Sequence, residues 1–184
     1  DSYEYIIQEE QKGTGHAVIV AQKVLENNAD HIIVLYGDHP FISPPTIRKL
    51  FEKHLDSKGK ITMATVRLSD FKEWRSVFYE NFSRIIRDKN GNIEKDIQFK
   101  DANEEEKKVT EVNPCYFCFE AKWLWEKLKT LNTDNAQKEY YLTDLVKIAI
   151  QEKRKVESID IDPREALGVN SKEELEISER LTSQ

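Results

Sequence analysis

Short apolar runs of strand character alternate with runs of helical period along almost the whole chain. This alternation constrains the fold more than any other feature. Strands separated by helices bury their apolar faces best when the strands share one sheet and the helices cover it. Tyr3 to Gln8 is a short β-rich run, and after a Gly-Thr-Gly turn Ala17, Val18, Val20, Ala21, Val24 and Leu25 recur at helical spacing. His31 to Tyr36 is a second strand; Pro44-Pro45 then opens a helix with Ile47, Leu50, Phe51 and Leu55 on one side, because proline suits the first helical turn. Ile61 to Val66 is a third strand, and the runs Ser83 to Arg87 and Asn92 to Gln98 flank Asn90-Gly91, a strong hairpin signal. An acidic, solvated run follows from Asp101 to Glu106, then a strand from Thr110 to Phe119 and a helix with Trp123, Leu124, Leu128 and Leu131. Tyr141 to Ile150 reads as an amphipathic helix, Lys155 to Ile161 as a late strand, and Lys172 to Leu181 as a charged terminal helix. The expectation is a three-layer α/β/α, Rossmann-like fold with an inserted β-hairpin over its active edge, and 184 residues suit a single domain.

Composition narrows the function classes. Apolar residues make up 39% of the chain, enough for a core, while charged residues reach 34% against about 25% in ordinary domains. The 28 basic and 34 acidic residues are mixed along the chain for a net charge of -6, which argues against a nucleic-acid partner, since such surfaces concentrate Lys and Arg. No apolar stretch approaches the roughly 20 residues of a membrane helix, and Asp1-Ser2-Tyr3-Glu4 has no signal-peptide features, so a soluble, cytoplasmic protein without a membrane partner is expected. Cys115 and Cys118 form a lone CxxC in a strand-like run, where positions three apart face opposite ways; they read as core cysteines rather than a metal or redox pair.

In an open α/β sheet, ligands gather at the carboxyl ends of strands, where loops converge. Asp38 sits at such an end, with Gly37 letting the backbone turn and approach a ligand. A carboxylate there suits Mg²⁺, which takes a few protein oxygens together with substrate phosphates, although an aspartate capping a turn would look the same. Gly13-Thr14-Gly15-His16 lies at a strand-to-helix junction whose N–H groups could bind an anion or read a base edge; a turn glycine with a Thr14 N-cap also accounts for it. Asn135 to Gln137 and Tyr140 to Asp144 concentrate polar groups and rings before a helix, a composition suited to gripping a sugar or to capping that helix.

Taken in order, QxxxxGTGHA (Gln8 to Ala17), LYGDxP (Leu35 to Pro40), KDA (Lys100 to Ala102), EVN (Glu111 to Asn113), NAQxEYYLTD (Asn135 to Asp144) and GVN (Gly168 to Asn170) closely resemble the sugar-1-phosphate nucleotidyltransferases. Within that family the match is to the uridyltransferase domains that make UDP-N-acetylglucosamine. The resemblance implies a nucleotide-diphospho-sugar transferase fold and attack by N-acetylglucosamine 1-phosphate on the α-phosphorus of UTP, with pyrophosphate leaving. It assigns Gln8, Gly13 and Thr14 to the uracil edge, and Tyr36 and Gly37 to the loop beside nucleotide and sugar. Asp38, the catalytic residue, and Asn170 would hold the Mg²⁺. Asn113, Tyr141 and Thr143 would line the sugar pocket together with Ser83 and Gln98. His16 takes no catalytic role, because the nucleophile is already an anion and positioning and charge neutralisation dominate.

The pattern also departs from the family. Ser83 stands where the relatives have a pocket glycine and Gln98 where they have a glutamate; Lys138 replaces the glycine of NAQGEYY, and Pro114-Cys115 replace a Thr-Gly pair. Gln98 still accepts through its carbonyl but lacks the charge that strengthens such bonds. The family's glycine-rich L-x-x-G-x-G-T-x-M loop and its lysine have no counterpart here. Residues 1–184 therefore read as a partial nucleotidyltransferase domain, N-terminally incomplete and expected to be inactive by itself, and no hexapeptide β-helix of an acetyltransferase follows Leu181. Two other readings stand beside it: a non-catalytic nucleotide-sugar-binding or regulatory module, and a glycosyltransferase using Asp38 in its metal motif. A pyrophosphorylase for another sugar 1-phosphate is a variant of the first.

Overall fold

A computed structural model describes residues 3–182 and shows seven strands in one mixed sheet. The strands are β1 (His31–Val34), β2 (Ile61–Arg67), β3 (Ser83–Arg87), β4 (Ile93–Ile97), β5 (Glu111–Asn113), β6 (Phe117–Glu120) and β7 (Glu157–Asp160). Their order is β1-β6-β2-β5-β3-β4, with β7 parallel to β2 on its other edge. β6 is antiparallel to both β1 and β2, so β1, β2 and β7 run in one direction with β6 wedged between the first two. β2 is the pivot: its first half pairs with β6 and its end, Val66 and Arg67, pairs with β5.

The single strand expected from Thr110 to Phe119 is broken into β5 and β6. Pro114 offers no N–H for a ladder, and Cys115 adopts a left-handed φ of 61°. The break lets β5 extend the hairpin sheet while β6 joins the central strands, and Ala64 N–H donates to Tyr116 O at 2.9 Å across the gap. The expected strand from Tyr3 to Gln8 is also absent. Those residues join no ladder, and Tyr3, Tyr5 and Ile7 are 76%, 87% and 81% exposed. Strand-forming side chains do not make a strand without a neighbour to bond.

The helices are α1 (Thr14–Leu25), α2 (Pro44–Ser57), α3 (Val77–Asn81), α4 (Glu104–Lys107), α5 (Ala121–Leu128), α6 (Asp144–Gln151) and α7 (Lys172–Thr182). Alternation along the strands sends side chains to two cores. Met63, Phe117 and Phe119 meet Val18, Leu124, Leu128, Leu145 and Val146 from α1, α5 and α6. Ala64, Val66 and Cys118 meet Leu50 of α2 and Phe78 of α3 on the opposite face. Each fully buried Phe is worth about 2–3 kcal/mol in area removed from water. The two cysteines fall in separate clusters, both as free thiols that burial pushes up to about 12. On α2 the buried stripe is Thr46, Leu50 and His54, whereas Leu55, expected on it, is 44% exposed. His54 occupies a core position because Thr62 Oγ1 lies 3.0 Å from its Nδ1 and His31 Nδ1 lies 3.1 Å from its Nε2.

The acidic run becomes α4, opened by a capping box in which Asn103 accepts from the N–H groups of Glu105 and Glu106 and Glu106 returns the bond. No helix among the described residues is long and apolar enough to cross a membrane.

Candidate functional site

Two clefts open beyond the carboxyl end of β1, and Tyr36 borders both. The first, of about 400 Å³, lies between the start of α1 and the loop 135–142, and gathers Gln8, Gly13, Thr14 and Tyr36. Gly13 holds a φ of +98°, and a Cβ there would lie 2.8 Å from both Tyr140 O and Glu139 Cβ; a Cβ on Gly15 would lie 2.8 Å from Leu131 Cδ1. Only glycines allow the two loops to come this close. The contact is then stitched by hydrogen bonds: Gly15 N–H donates to Tyr140 O at 2.8 Å, Tyr140 N–H to Lys12 O at 2.9 Å, and Leu142 N–H to Thr14 Oγ1 at 3.1 Å.

This corrects the expectation of free N–H groups at the motif. The Gly15 N–H is spent on protein, Gly13 rather than Thr14 occupies the cap, and the Thr14 hydroxyl ties the loops together. Gln8 Nε2 donates to Gly13 O at 3.3 Å and pairs with His16 Nδ1 at 3.0 Å. His16, given no role by sequence reasoning, therefore positions Gln8 and leaves the Gln8 carbonyl oxygen for a ligand. Its place in the QxxxxGTGH motif was the available signal. Asn135 closes the facing loop, its Nδ2 donating to Glu139 O at 2.6 Å and its Oδ1 accepting from Glu139 N–H at 3.2 Å, and Asp101 anchors the loop by accepting from Ala136 N–H at 3.0 Å. Lys138 sits at a left-handed φ of 56°, a conformation that suits the glycine which the family resemblance implies for this position.

The second cleft, of about 210 Å³, brings together Tyr36, Asp38, Ser83, Gln98, Asn113 and Asn170 from distant parts of the chain. Val169 N–H donates to Asp38 O at 2.9 Å, which joins the early and late segments. At Gly168 an added Cβ would lie 3.0 Å from His39 Nε2 and 3.3 Å from Asn170 Nδ2, so a side chain there would press on both by a few tenths of an ångström. His39 and Tyr116 are partners at 2.8 Å, and the Tyr116 hydroxyl donates to Glu165 O at 2.8 Å. Tyr116 must then accept from His39 Nδ1–H, leaving Nε2 with its lone pair. Burial lowers the His39 pKa against the opposite pull of Asp38 and Glu174, so the ring adds no charge at neutral pH. His39 was missed by sequence reasoning, its only signal being the place after Asp38.

The donor set suits a hard cation. Asp38 offers a carboxylate at the exposed mouth of the cleft and Asn170 an amide oxygen, with Glu174 beside them accepting from Asn170 N–H at 2.6 Å. No group of three or more His, Cys, Asp or Glu with metal-binding geometry occurs among the described residues. Two protein oxygens with room for phosphate and water is the kind of coordination Mg²⁺ accepts.

The remaining predicted residues sit less directly. Gln98 Nε2 donates to Thr143 Oγ1 at 3.1 Å, which places Thr143 behind the second cleft rather than on its wall. Tyr141 is 6% exposed and lines neither cleft; its buried hydroxyl lies near the Gln137 backbone without meeting hydrogen-bonding geometry, and burial raises its pKa. Gly37 lines neither cleft, has no left-handed φ and would tolerate a Cβ with nothing within 4 Å, so the turn does not need a glycine. Glu111 of EVN is structural: its carboxylate takes Arg87 Nε at 2.9 Å and Nη2 at 2.6 Å.

Comparisons with known proteins identify the family and the fold. Residues 2–163 match the nucleotidyl transferase family. The bifunctional protein GlmU of Clostridium botulinum (strain Loch Maree / Type A3) is 40% identical over 175 residues, covering 95% of this chain and 36% of that protein. The GlmU of Clostridioides difficile (strain 630) is 42% identical over 176 residues, again covering 95% and 36%. That of Desulfotalea psychrophila is 32% identical over 180 residues, covering 97% and 51%. The chain thus spans between 36% and 51% of the length of these relatives. Among solved structures, a UDP-glucose pyrophosphorylase complexed with UDP-glucose superposes with a TM-score of 0.75 at 15% identity, over 98% of this chain and 66% of that one, which shows a shared fold.

Proposed function

Because the chain belongs to the nucleotidyl transferase family, we propose that residues 1–184 form one domain carrying the base-reading, metal-holding and sugar-binding parts of a uridyltransferase. The reaction would join UTP and N-acetylglucosamine 1-phosphate into UDP-N-acetylglucosamine and pyrophosphate. One observation carries this reading: the two clefts share Tyr36, and Asp38 and Asn170 stand together in the second, next to the cleft that holds Gln8, Gly13 and Thr14. A nucleotide in the first and a sugar phosphate in the second would meet at these two residues.

In this reading Gln8, steered by His16, accepts the imide N–H of uracil through its free carbonyl oxygen, a donor that cytosine lacks. Tyr36 separates the base from the sugar and stays a neutral phenol, since burial raises its pKa far above the physiological range. Asn113 and Gln98 orient the sugar so that its phosphate oxygen faces the α-phosphorus. Mg²⁺ held at Asp38 and Asn170 would supply charge neutralisation between the two phosphates. No base is required, because the attacking oxygen is already an anion. Gln98 replaces an expected glutamate and spends its amide on Thr143, which favours a second reading, a pyrophosphorylase for another sugar 1-phosphate.

Pyrophosphate release from UTP, measured for the intact protein that carries this chain with a panel of sugar 1-phosphates, tests both readings. Asp38→Ala should abolish turnover while leaving the melting temperature within about 2 °C, since an exposed side chain outside the core changes stability by no more than about 0.5 kcal/mol. Turnover retained by Asp38→Ala would remove the metal assignment.

A further inference from the structure

Behind the second cleft lies a carboxylate that the reading above does not use. Asp96, opposite Ile85 in the β3–β4 hairpin, accepts from Asn113 Nδ2 at 2.7 Å through its Oδ2. The other end of the Asn113 amide, Oδ1, accepts from Cys115 N–H at 2.7 Å. A backbone N–H can only donate and a carboxylate can only accept, so the orientation of this amide is fixed by chemistry. Asn113 and its register partner Ser83 are 1% and 2% exposed and line the cleft. Asp96 Oδ1 and Ser83 Oγ are buried without a partner in hydrogen-bonding geometry. A buried carboxylate is costly unless it is paired or hydrogen-bonded, and the Asn113 amide supplies that bond to Asp96.

We propose that Asp96 is a positioning residue of the sugar subsite: it locks the Asn113 amide so that the subsite meets the sugar with an N–H donor and not with an acceptor. The subsite therefore selects a sugar 1-phosphate with an acceptor at that point, such as the carbonyl oxygen of an acylamino group or a ring hydroxyl. This rests on Asn113 being a sugar contact, as the proposed function has it.

The lock is sensitive to pH. Burial pushes the Asp96 carboxyl up to about 7, Asp144 at the start of α6 adds to the rise, and the nearby Ser83 and Asn113 pull it down. The other titratable group facing it, the Cys115 thiol on the loop after β5, is pushed up to about 12 and stays neutral. As pH falls through 7, Asp96 takes a proton and its bond to Asn113 loses its charge assistance, so sugar affinity drops on the acid side.

Initial-rate kinetics on the intact protein with UTP and N-acetylglucosamine 1-phosphate, between pH 6 and 8, test this. Asp96→Ala should raise the sugar KM about tenfold or more and leave the UTP KM within about twofold, the scale of a lost charge-assisted bond. Asp96→Asn, which still accepts from Asn113 but does not titrate, should recover most of that affinity and flatten the pH dependence of the sugar KM. If Asp96→Ala fails to fold, the flat profile of Asp96→Asn decides. Unchanged sugar KM in Asp96→Ala, an equal rise in its UTP KM, or a pH dependence that survives in Asp96→Asn overturns the proposal alone. Absence of turnover by the unsubstituted protein with every sugar 1-phosphate overturns the proposed function and this proposal together.

Discussion

Replacing Gly13 by alanine should cost far more than its single methyl group suggests. The residue holds a φ of +98°, and its new Cβ would stand 2.8 Å from Tyr140 O and from Glu139 Cβ. The backbone term for an L-residue in that region is about 1–2 kcal/mol. The contact adds about 1–3 kcal/mol, because one partner is a carbonyl held in the Lys12–Tyr140–Gly15 ladder and has no rotamer by which to retreat. The sum, about 2–5 kcal/mol, is a large part of the 5–15 kcal/mol that holds an ordinary domain. For a chain of this size it corresponds to a fall in melting temperature of roughly 5–15 °C. Gly37→Ala is the matched control: the same methyl, no left-handed φ and nothing within 4 Å, so its stability should change by no more than about 0.5 kcal/mol. Urea unfolding followed by circular dichroism measures both. Equal effects for the two substitutions, or a loss below about 1 kcal/mol at Gly13, would show that the two loops are not packed at glycine distance.

Other expectations follow from the same geometry. Lys138→Gly should stabilise the protein by about 0.5–1 kcal/mol in thermal melts, since a left-handed φ of 56° is strained for lysine and ordinary for glycine. His54 should make stability depend on pH. Burial, His31 and Lys60 lower its folded pKa to about 4, below the ordinary value of about 6.5, so the unfolded chain binds the proton more tightly. Its contribution is complete above about 6.5 and is lost as pH falls toward 4, by up to about 3 kcal/mol. Subtracting the stability–pH curve of His54→Gln from that of the unsubstituted protein should isolate this acid limb, and parallel curves would contradict it.

Periodicity reports that an element exists and roughly which face it buries; on α2 it missed the stripe, which is Thr46, Leu50 and His54 while Leu55 is exposed. The helices over Thr14–Leu25 and Pro44–Ser57 and the strand at Ile61–Arg67 stand where their spacing puts them. It does not report which strands become neighbours. The insertion of β6 between β1 and β2 is decided across some 85 residues of chain, and it also decides that the run from Thr110 to Phe119 must break at Pro114-Cys115 to serve two parts of the sheet. Tyr3 to Gln8 failed as a strand for the same reason, since β-forming residues still need an edge to join. Asp38 and Asn170 were legible through the motifs that contain them; that they share a cleft required the fold.

Buried polar groups were the least legible, because their meaning lies in partners distant in sequence. Arginines are almost never fully buried unless paired, yet Arg84 on β3 is 0% exposed. Its guanidinium donates to Lys107 O at 3.2 Å, to Phe82 O at 2.6 Å and to Tyr79 O, and stacks 4.7 Å from the Phe71 ring and 5.2 Å from the Phe99 ring. Burial lowers its pKa to about 10, which still leaves it charged at neutral pH, so carbonyl dipoles and ring faces replace a carboxylate as the counter-charge. That arrangement fastens the end of α3 to the hairpin, and the hairpin carries Ser83, Asp96 and Gln98 to the cleft. The same cation on a solvated strand would do none of this. The candidate cleft at the meeting of a hairpin, a split strand and a late loop is thus shaped by buried groups such as Arg84 and His39, whose side chains carry no motif of their own.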